Sequence, residues 1–295
     1  MKKKLIFQGA ATALITPMKD GSIDYPALAN ILEAQIKGGI SALVIGGTTG
    51  EAATLSDGER YELYSYVKDK TEGRVKIIFG TGTNDTRMAE RHTRVAADIG
   101  CDAVLIVTPY YNKGTHSGVV EHYKRIAEAT DVPVILYNVP SRTGVNLTIA
   151  QLEKLVKIEN IVGIKEASDS ADRLTELAKF GDELYLYAGN DSQIYATLAL
   201  GGQGVISVVS NLYPRAISDI CSLYFSEKPK ESLSLQLRLL DFIKLMFRET
   251  NPAPIKYAMS LAGLCRSDIR LPLYIPEEAT CSAIKSEIER LGFIE

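Results

Sequence analysis

The sequence predicts an α/β protein: a (β/α)8 TIM barrel followed by a C-terminal helical appendage. Eight strand-like runs recur at intervals of about 20–35 residues, and helical patterns fill the intervals between them. Most of these runs are continuously apolar, which is typical of parallel strands covered on both faces. After Pro214 the alternation stops and only helical patterns remain. We therefore predict a barrel domain over residues 1–225 and a helical domain over residues 226–295.

Each strand is predicted from a short apolar run that ends at a turn signal. The predicted strands cover residues 12–16, 41–45, 75–79, 103–107, 134–137, 161–165, 184–188 and 204–209. Helices are predicted over residues 24–37, 56–68, 84–99 and 116–129, and from residue 148 onward. Ser56 with Glu59, and Thr148 with Gln151, have the spacing of capping boxes, which satisfy free amide groups at a helix N-terminus.

The C-terminal region predicts three further helices. One amphipathic helix is predicted over residues 233–247. Its apolar stripe repeats with helical period and consists of Leu233, Leu237, Leu240 and Phe247. The N-P-A-P run at 251–254 interrupts this helix, because proline lacks the amide hydrogen that a helix interior needs. Helices over residues 255–264 and 277–291 follow.

Composition and charge exclude several classes of protein. The net charge of −3 indicates no nucleic-acid or polyphosphate partner. No apolar run approaches the ~20 residues of a membrane span, and the apolar run at 5–7 is too short for a signal peptide. We therefore expect a cytoplasmic protein without a membrane partner. The four cysteines form no C-x-x-C pair, and the histidines His92, His116 and His122 are expected on helix surfaces, so no metal site is predicted.

The predicted sixth strand ends at Lys165, and this residue is the candidate nucleophile. Moving an ammonium out of water is costly, so burial favours the free amine. A free amine at the end of a buried strand is the group that Schiff-base chemistry requires. The alternative is that Lys165 reaches solvent, as long charged side chains usually do, or pairs with Glu166.

Other reactive side chains follow neighbouring strands at the same end of the predicted barrel, where barrel enzymes place their active sites. Tyr137 ends the fifth strand beside Lys165, and its phenol can pass protons to and from a carbinolamine. Arg142 lies in the next loop and has a planar fork suited to a carboxylate. The G-G-T-T-G-E loop at 46–51 offers backbone amides and the hydroxyls of Thr48 and Thr49 to a carboxylate or oxyanion.

At these residues the sequence resembles the dihydrodipicolinate synthase family, within the wider N-acetylneuraminate lyase superfamily. The resemblance spans essentially the whole chain. It rests on G-G-T-T-G-E at 46–51, T-P-Y-Y-N at 108–112, Y-N-V-P-S-R-T-G at 137–144, G-I-K-E at 163–166 and N-P-A-P-I-K at 251–256. The double threonine and the S-R-T-G run are more specific to the synthases than the other features, which the superfamily shares.

The resemblance implies a Schiff-base lyase that condenses pyruvate with L-aspartate 4-semialdehyde to 4-hydroxy-tetrahydrodipicolinate, in lysine and diaminopimelate synthesis. It implies no metal or organic cofactor, and a homotetramer built as a dimer of dimers. Lys165 would form the Schiff base. The proton relay would comprise Tyr137, Thr48 and Tyr111, with Tyr111 reaching a neighbouring subunit. Substrates would be bound by Thr48 and Thr49, by Arg142, and by the backbone at Gly189 and Ile206.

Three other functions compete with this interpretation. A related aldolase acting on a sialic acid or a 2-keto-3-deoxy sugar acid would share Lys165 and Tyr137, but it would make less use of Arg142. A non-catalytic small-molecule sensor would be expected to have lost the lysine or the tyrosine. A phosphate-binding barrel needs a glycine-rich loop after a late strand, whereas the G-G-Q-G run at 201–204 precedes the eighth strand.

Regulation by lysine is where the sequence departs from part of this family. Members that lysine inhibits have a pocket beside the paired tyrosines, in which an acidic side chain holds the ammonium of the effector. Asn84 and Tyr110 match that pocket, but its acidic position is Met88. Positions that are often histidine in the family are Asp57 and Arg60 here. We therefore expect weak or no inhibition by lysine, unless Glu90 or Asp85 replaces the missing carboxylate.

Overall fold

A computed structural model describes residues 2–292 and contains a closed barrel of eight parallel strands. In chain order the strands are β1 (Gly9–Ala13), β2 (Ala42–Ile45), β3 (Lys76–Gly80), β4 (Ala103–Val107), β5 (Val134–Asn138), β6 (Ile161–Glu166), β7 (Tyr185–Ala188) and β8 (Gly204–Ser207). Each strand pairs with the next one, and β8 pairs with β1 to close the barrel. The predicted fold class is therefore confirmed.

Helices alternate with the strands and continue after the barrel. They are α1 (Tyr25–Lys37), α2 (Asp57–Thr71), α3 (Thr86–Ile99), α4 (His116–Glu128), α5 (Ile149–Leu155), α6 (Ala171–Ala178), α7 (Ile194–Ala199), α8 (Pro214–Phe225), α9 (Pro229–Arg238), α10 (Leu240–Met246), α11 (Ala253–Leu261) and α12 (Glu278–Leu291). None of the helices within residues 2–292 has the length and hydrophobicity that crossing a membrane requires.

Local sequence signals set the starts of several helices. Asp24 caps α1 by accepting a hydrogen bond from the amide of Ala27. Both predicted capping boxes are present, at Ser56 before α2 and at Thr148 before α5. These side chains pair amide groups that have no partner within the helix. The capping signals therefore determine how the chain enters two of the barrel helices.

The first strand begins at Gly9, whereas the prediction placed it at residues 12–16. Its sequence is G-A-A-T-A, and small residues give a weak strand signal. Pairing with β8 and β2 nevertheless holds these residues in the sheet. The apolar residues at 14–15 follow the strand, and a hairpin of Met18–Lys19 with Ser22–Ile23 comes next.

The prediction of a single helix over residues 233–247 is wrong, because the chain forms α9 and α10 with a break at Leu239. The predicted apolar stripe does not face the core, since Leu233 and Leu237 are exposed. Instead α9 buries Ser232 and Gln236, whose side chains donate to the carbonyls of Ile220 and Asp191. Hydrogen bonds to the barrel therefore orient this helix. The boundary between the two predicted domains remains a prediction.

The N-terminal end of the barrel is closed by packed side chains. The rings of Phe7 and Tyr187 stack at 4.4 Å, and the Tyr187 hydroxyl donates to the carbonyl of Phe7 at 2.9 Å. Tyr185 similarly donates to the carbonyl of Lys3 at 3.1 Å. Access to the barrel interior is therefore left to the opposite, C-terminal end of the strands.

Candidate active site

Lys165 and Tyr137 lie side by side at the C-terminal end of the barrel. They are register partners on β6 and β5, and the Lys165 nitrogen lies 4.3 Å from the centre of the Tyr137 ring. Lys165 is 5% exposed, and within residues 2–292 its amine forms no salt bridge or hydrogen bond. The predicted juxtaposition is confirmed, and the alternative of a solvent-facing lysine is wrong.

Glu166 does not pair with Lys165, because it points to the other side of the strand. Its carboxylate accepts hydrogen bonds from Asn138 at 2.9 Å and from the amide of Ser168 at 2.9 Å, and it pairs with Arg173 at 3.4 Å. Asn138 follows Tyr137, just as Glu166 follows Lys165, so the network joins the ends of β5 and β6. It thereby holds the register that places the amine against the phenol.

The G-G-T-T-G-E loop follows β2 and passes close to neighbouring backbone. Gly46 has φ +66°, and a Cβ atom there would lie 2.8 Å from the Tyr64 hydroxyl oxygen. A Cβ atom at Gly80 would lie only 2.4 Å from the carbonyl oxygen of Gly46. Glycine is therefore required at both positions. The loop buries Thr49, which is 2% exposed, and leaves Thr48 half-buried.

Glu51 ends this loop and forms a fully buried ion pair with Lys256 on α11. Glu51 also accepts a hydrogen bond from the amide of Arg270 at 3.0 Å, and Lys256 donates to the carbonyl of Asp268 at 2.8 Å. Removing one member of a buried ion pair typically costs about 3–5 kcal/mol, because the other charge is left unpaired. The C-terminal segment is thus firmly attached to the loop that carries the two threonines.

Arg142 lies on a short helical turn, Pro140–Thr143, directly after β5. Its guanidinium donates to the carbonyl oxygen of Asn251 at 3.3 Å. The side-chain amide of Asn251 in turn donates to the Thr49 hydroxyl oxygen at 2.9 Å. Sequence reasoning gave Asn251 no role, because its contacts are with residues more than one hundred positions away, which no spacing pattern reveals.

Two cavities meet at these residues. The larger, which we name the Lys165 cavity, has a volume of about 720 Å³ and is lined by Thr49, Tyr137, Arg142, Lys165 and Gly189, among others. The second, which we name the Met88 cavity, has a volume of about 500 Å³ and is lined by Thr48, Met88, His92 and Tyr110, among others. Tyr137, Arg142 and Asn251 line both cavities.

Two of the predicted site residues are not in contact with the two cavities. Tyr111 is 87% exposed and lies at φ +69°. Ile206 is fully buried on β8, among the side chains that fill the barrel interior. Neither residue lines the Lys165 cavity or the Met88 cavity as the described part of the chain forms them. Their roles remain predictions.

The Met88 cavity contains the positions that matter for lysine regulation. Asp85 caps α3 by accepting a hydrogen bond from the amide of Arg87 at 2.9 Å. Glu90 is buried and pairs with Arg125 at 2.9 Å. Both carboxylates therefore have other partners, and neither lines the cavity beside Met88.

The histidines differ from the prediction that placed them on helix surfaces. His92 and His122 are buried, and each ring lies next to a hydroxyl: that of Tyr61 at 2.8 Å and that of Thr86 at 2.9 Å. Burial lowers the pKa of His92, and it lowers the pKa of His122 to about 4. His116, which begins α4, is exposed as expected. Within residues 2–292, no three His, Cys, Asp or Glu side chains are grouped as metal ligands.

Comparisons with family models and with known sequences and structures all point to one family. Residues 6–291 match the model of the dihydrodipicolinate synthetase family. A 4-hydroxy-tetrahydrodipicolinate synthase from Clostridium novyi is 45% identical over 285 residues, covering 96% of each chain.

Solved structures agree. A dihydrodipicolinate synthase from Thermotoga maritima is 36% identical with a TM-score of 0.96, and the match covers 98% of this chain and all of that one. The Acinetobacter baumannii enzyme, solved in complex with pyruvate, is 38% identical with a TM-score of 0.95 at the same coverage. The resemblance read from the strand-end motifs is confirmed: the chain belongs to the dihydrodipicolinate synthetase family.

Proposed function

We propose that the chain condenses pyruvate with L-aspartate 4-semialdehyde to give 4-hydroxy-tetrahydrodipicolinate, in lysine and diaminopimelate synthesis. The observation that carries this proposal is the Lys165 amine, which is buried, lies against Tyr137 and faces a cavity that also contains Thr49 and Arg142. The names of the relatives support the same reaction. No observation favours the alternative of an aldolase acting on a sialic acid or a 2-keto-3-deoxy sugar acid.

The first stage joins pyruvate to the enzyme. The Lys165 amine adds to the ketone carbon, and loss of water from the carbinolamine gives a protonated imine. Tyr137 is adjacent to the amine and supplies the proton that leaves with the water. Thr48 and Thr49 hold the pyruvate carboxylate through hydroxyl donors. The backbone at Gly189, which lines the Lys165 cavity, and the backbone at Ile206, which lies below the lining residues, are proposed to bind it as well.

The second stage forms the carbon–carbon bond. The protonated imine withdraws electrons, so a methyl proton of pyruvate leaves and an enamine forms. The enamine attacks the aldehyde carbon, and the aldehyde oxygen takes up a proton through the relay of Tyr137, Thr48 and Tyr111. Arg142 holds the carboxylate of the aldehyde substrate, because its planar fork can donate two parallel hydrogen bonds. The amino group of the adduct then attacks the imine carbon and releases Lys165.

The assembly and location proposed with this function go beyond the single chain. We propose a homotetramer built as a dimer of dimers, as the resemblance to the family implies. The exposed Tyr111 is available to a neighbouring subunit in such an assembly. We also expect the enzyme to act in the cytoplasm on small soluble metabolites. Neither proposed stage requires a metal ion or an organic cofactor.

Borohydride reduction in the presence of pyruvate tests the proposal. The reduced adduct should be found by peptide mass mapping on Lys165, and it should be absent from the Lys165→Ala variant. Lys165→Arg should also fail, because a guanidinium stays protonated. Lys256 is an internal control, since it is equally buried but is paired with Glu51. An adduct on Lys256 or another lysine would contradict the assignment.

A further inference from the structure

Asn251 lies where the two cavities meet, although it belongs to the C-terminal segment. It is 4% exposed and lines both the Lys165 cavity and the Met88 cavity. Its side-chain nitrogen donates to the Thr49 hydroxyl oxygen at 2.9 Å, and its main-chain oxygen accepts from Arg142 at 3.3 Å. One residue thus contacts a proposed anchor for each of the two substrates.

The direction of the hydrogen bond to Thr49 has a chemical consequence. A threonine hydroxyl has one proton and two acceptor lone pairs. Because Asn251 donates to this oxygen, a lone pair is occupied and the proton remains available. Among residues 2–292, the Thr49 hydroxyl has no other hydrogen-bond partner. A substrate carboxylate accepts hydrogen bonds only, so Thr49 can hold it only with this proton.

We infer that Asn251 is a positioning residue, which directs the Thr49 hydroxyl proton toward the carboxylate of pyruvate in the Lys165 cavity. This inference rests on the proposed function, in which Thr49 binds that carboxylate. The side-chain oxygen of Asn251 is buried and has no partner among the described residues. A buried acceptor without a protein partner contributes nothing to the stability of the segment. The donor nitrogen therefore forms the one hydrogen bond that the Asn251 side chain makes within residues 2–292.

An isosteric change separates the two possible roles of Asn251 once the charge that it adds is controlled. In Asn251→Asp the side chain keeps its shape but can only accept, so it takes the Thr49 proton for itself. Asn251→Asp also adds a negative charge beside the pyruvate carboxylate, which weakens binding whether or not Asn251 directs the Thr49 proton. The charge effect remains when Thr49 is replaced by valine, whereas an effect that acts through the Thr49 proton disappears, so Asn251→Asp is compared with and without Thr49→Val.

Steady-state kinetics should therefore separate the two substrates. The KM for pyruvate should rise several-fold in Asn251→Ala and about tenfold to a hundredfold in Asn251→Asp, as for a lost hydrogen bond to a charged group. The KM for the aldehyde should stay within about twofold in Asn251→Ala, since Arg142 contacts the main-chain oxygen of Asn251, which that variant keeps. A general disturbance of the segment would raise both KM values.

A double-mutant cycle with Thr49→Val shows whether Asn251 acts through Thr49. Since valine has no hydroxyl, Asn251→Ala should add almost nothing to the effect of Thr49→Val. Additive effects, or an Asn251→Asp variant that binds pyruvate as well as the wild type does, would overturn the inference. The cycle keeps the test decisive if Asn251→Asp folds poorly. A wild-type enzyme that traps no pyruvate would instead overturn the proposed function itself.

Discussion

Lys165 and Tyr137 are register partners on adjacent strands, and the lysine nitrogen lies 4.3 Å from the centre of the tyrosine ring. Two elements that are separated along the chain thus bring a nucleophile and a proton carrier together. The strand pairing sets this distance, and the Glu166 network behind the strands maintains it. The arrangement is therefore built into the barrel and does not depend on a mobile loop.

Tyr137→Phe should keep the ring beside the amine and remove only the proton carrier. We expect imine formation with pyruvate to slow by about 10²–10⁴-fold, the usual contribution of a general acid or base. Borohydride quenching at short times measures this rate. Tyr185→Phe is the matched control, because its hydroxyl bonds to Lys3 at the closed end of the barrel. An unchanged trapping rate in Tyr137→Phe would assign proton transfer to another group.

Arg142→Ala should separate the two substrates. Imine formation with pyruvate should remain largely intact, whereas kcat/KM for L-aspartate 4-semialdehyde should fall about tenfold to a hundredfold as the charged hydrogen bonds are lost. Arg142→Lys should recover little, because an ammonium cannot form the bidentate fork. Arg215→Ala serves as the control, since that side chain pairs with Asp219 at an exposed site. Unchanged kinetics for the aldehyde would show that Arg142 has a different function.

Tyr111→Phe should lower turnover without changing the assembly state measured by analytical ultracentrifugation. A subunit-mixing experiment is sharper. If Tyr111 acts on a neighbouring subunit, mixing Tyr111→Phe chains with Lys165→Ala chains creates a site with an intact lysine and an intact tyrosine. Activity should then exceed that of either parent. A fully active monomer, or a mixture that gains nothing, would refute action across an interface.

Lysine should inhibit weakly or not at all. Met88 cannot pair with an ammonium. Glu90 is already paired with Arg125, and Asp85 caps helix α3. Losing one partner of a desolvated ion pair costs a few kcal/mol, about two to three decades in affinity. Initial rates at subsaturating pyruvate test this. Half-inhibition below about 1 mM, an affinity near −4 kcal/mol, would contradict it. Met88→Glu is the matched variant and should increase sensitivity to lysine.

His122 should make stability depend on pH in mildly acidic solution. Burial lowers its pKa from the ordinary 6.5 to about 4, and nearby Asp85 and Glu90 only partly oppose this. Between these values the unfolded chain binds the proton more readily, so this contribution to stability is present above about pH 6.5 and is lost as the pH falls toward 4. Between pH 6.5 and pH 4, the free energy of unfolding of the wild type should fall by up to about 3 kcal/mol more than that of His122→Gln, as measured by denaturant unfolding. An equal decrease in the two proteins would show that His122 does not cause this pH dependence.

Much of the barrel was predictable, because continuous apolar runs and capping residues are local signals. The two capping boxes, at Ser56 and Thr148, set helix starts where expected. The juxtaposition of Tyr137 and Lys165 was also predictable, because consecutive parallel strands are neighbours and both residues end a strand. Local periodicity gave a wrong prediction where tertiary contacts determine which face of a helix is buried. In α9 the buried residues are Ser232 and Gln236 instead of the predicted leucine stripe.

The remainder of the site depends on contacts that no local pattern encodes. Asn251 reaches Thr49 across 202 residues of chain, and Lys256 reaches Glu51 across 205. A sequence can show that a lysine or an asparagine is present there, but not that a distant loop buries it. The histidines were misplaced for the same reason, since burial of His92 and His122 depends on how α2, α3 and α4 pack together.

The ion pair between Glu51 and Lys256 limits how this scaffold can be re-engineered. Barrel enzymes vary their chemistry through the loops at the C-terminal ends of the strands. In this protein, replacing the loop after β2 would leave the buried Lys256 on α11 without its partner. Replacing the C-terminal segment would leave Glu51 without its partner. Because each segment holds one member of the buried ion pair, we expect a stable chimera to carry residues 46–51 together with residues 251–270.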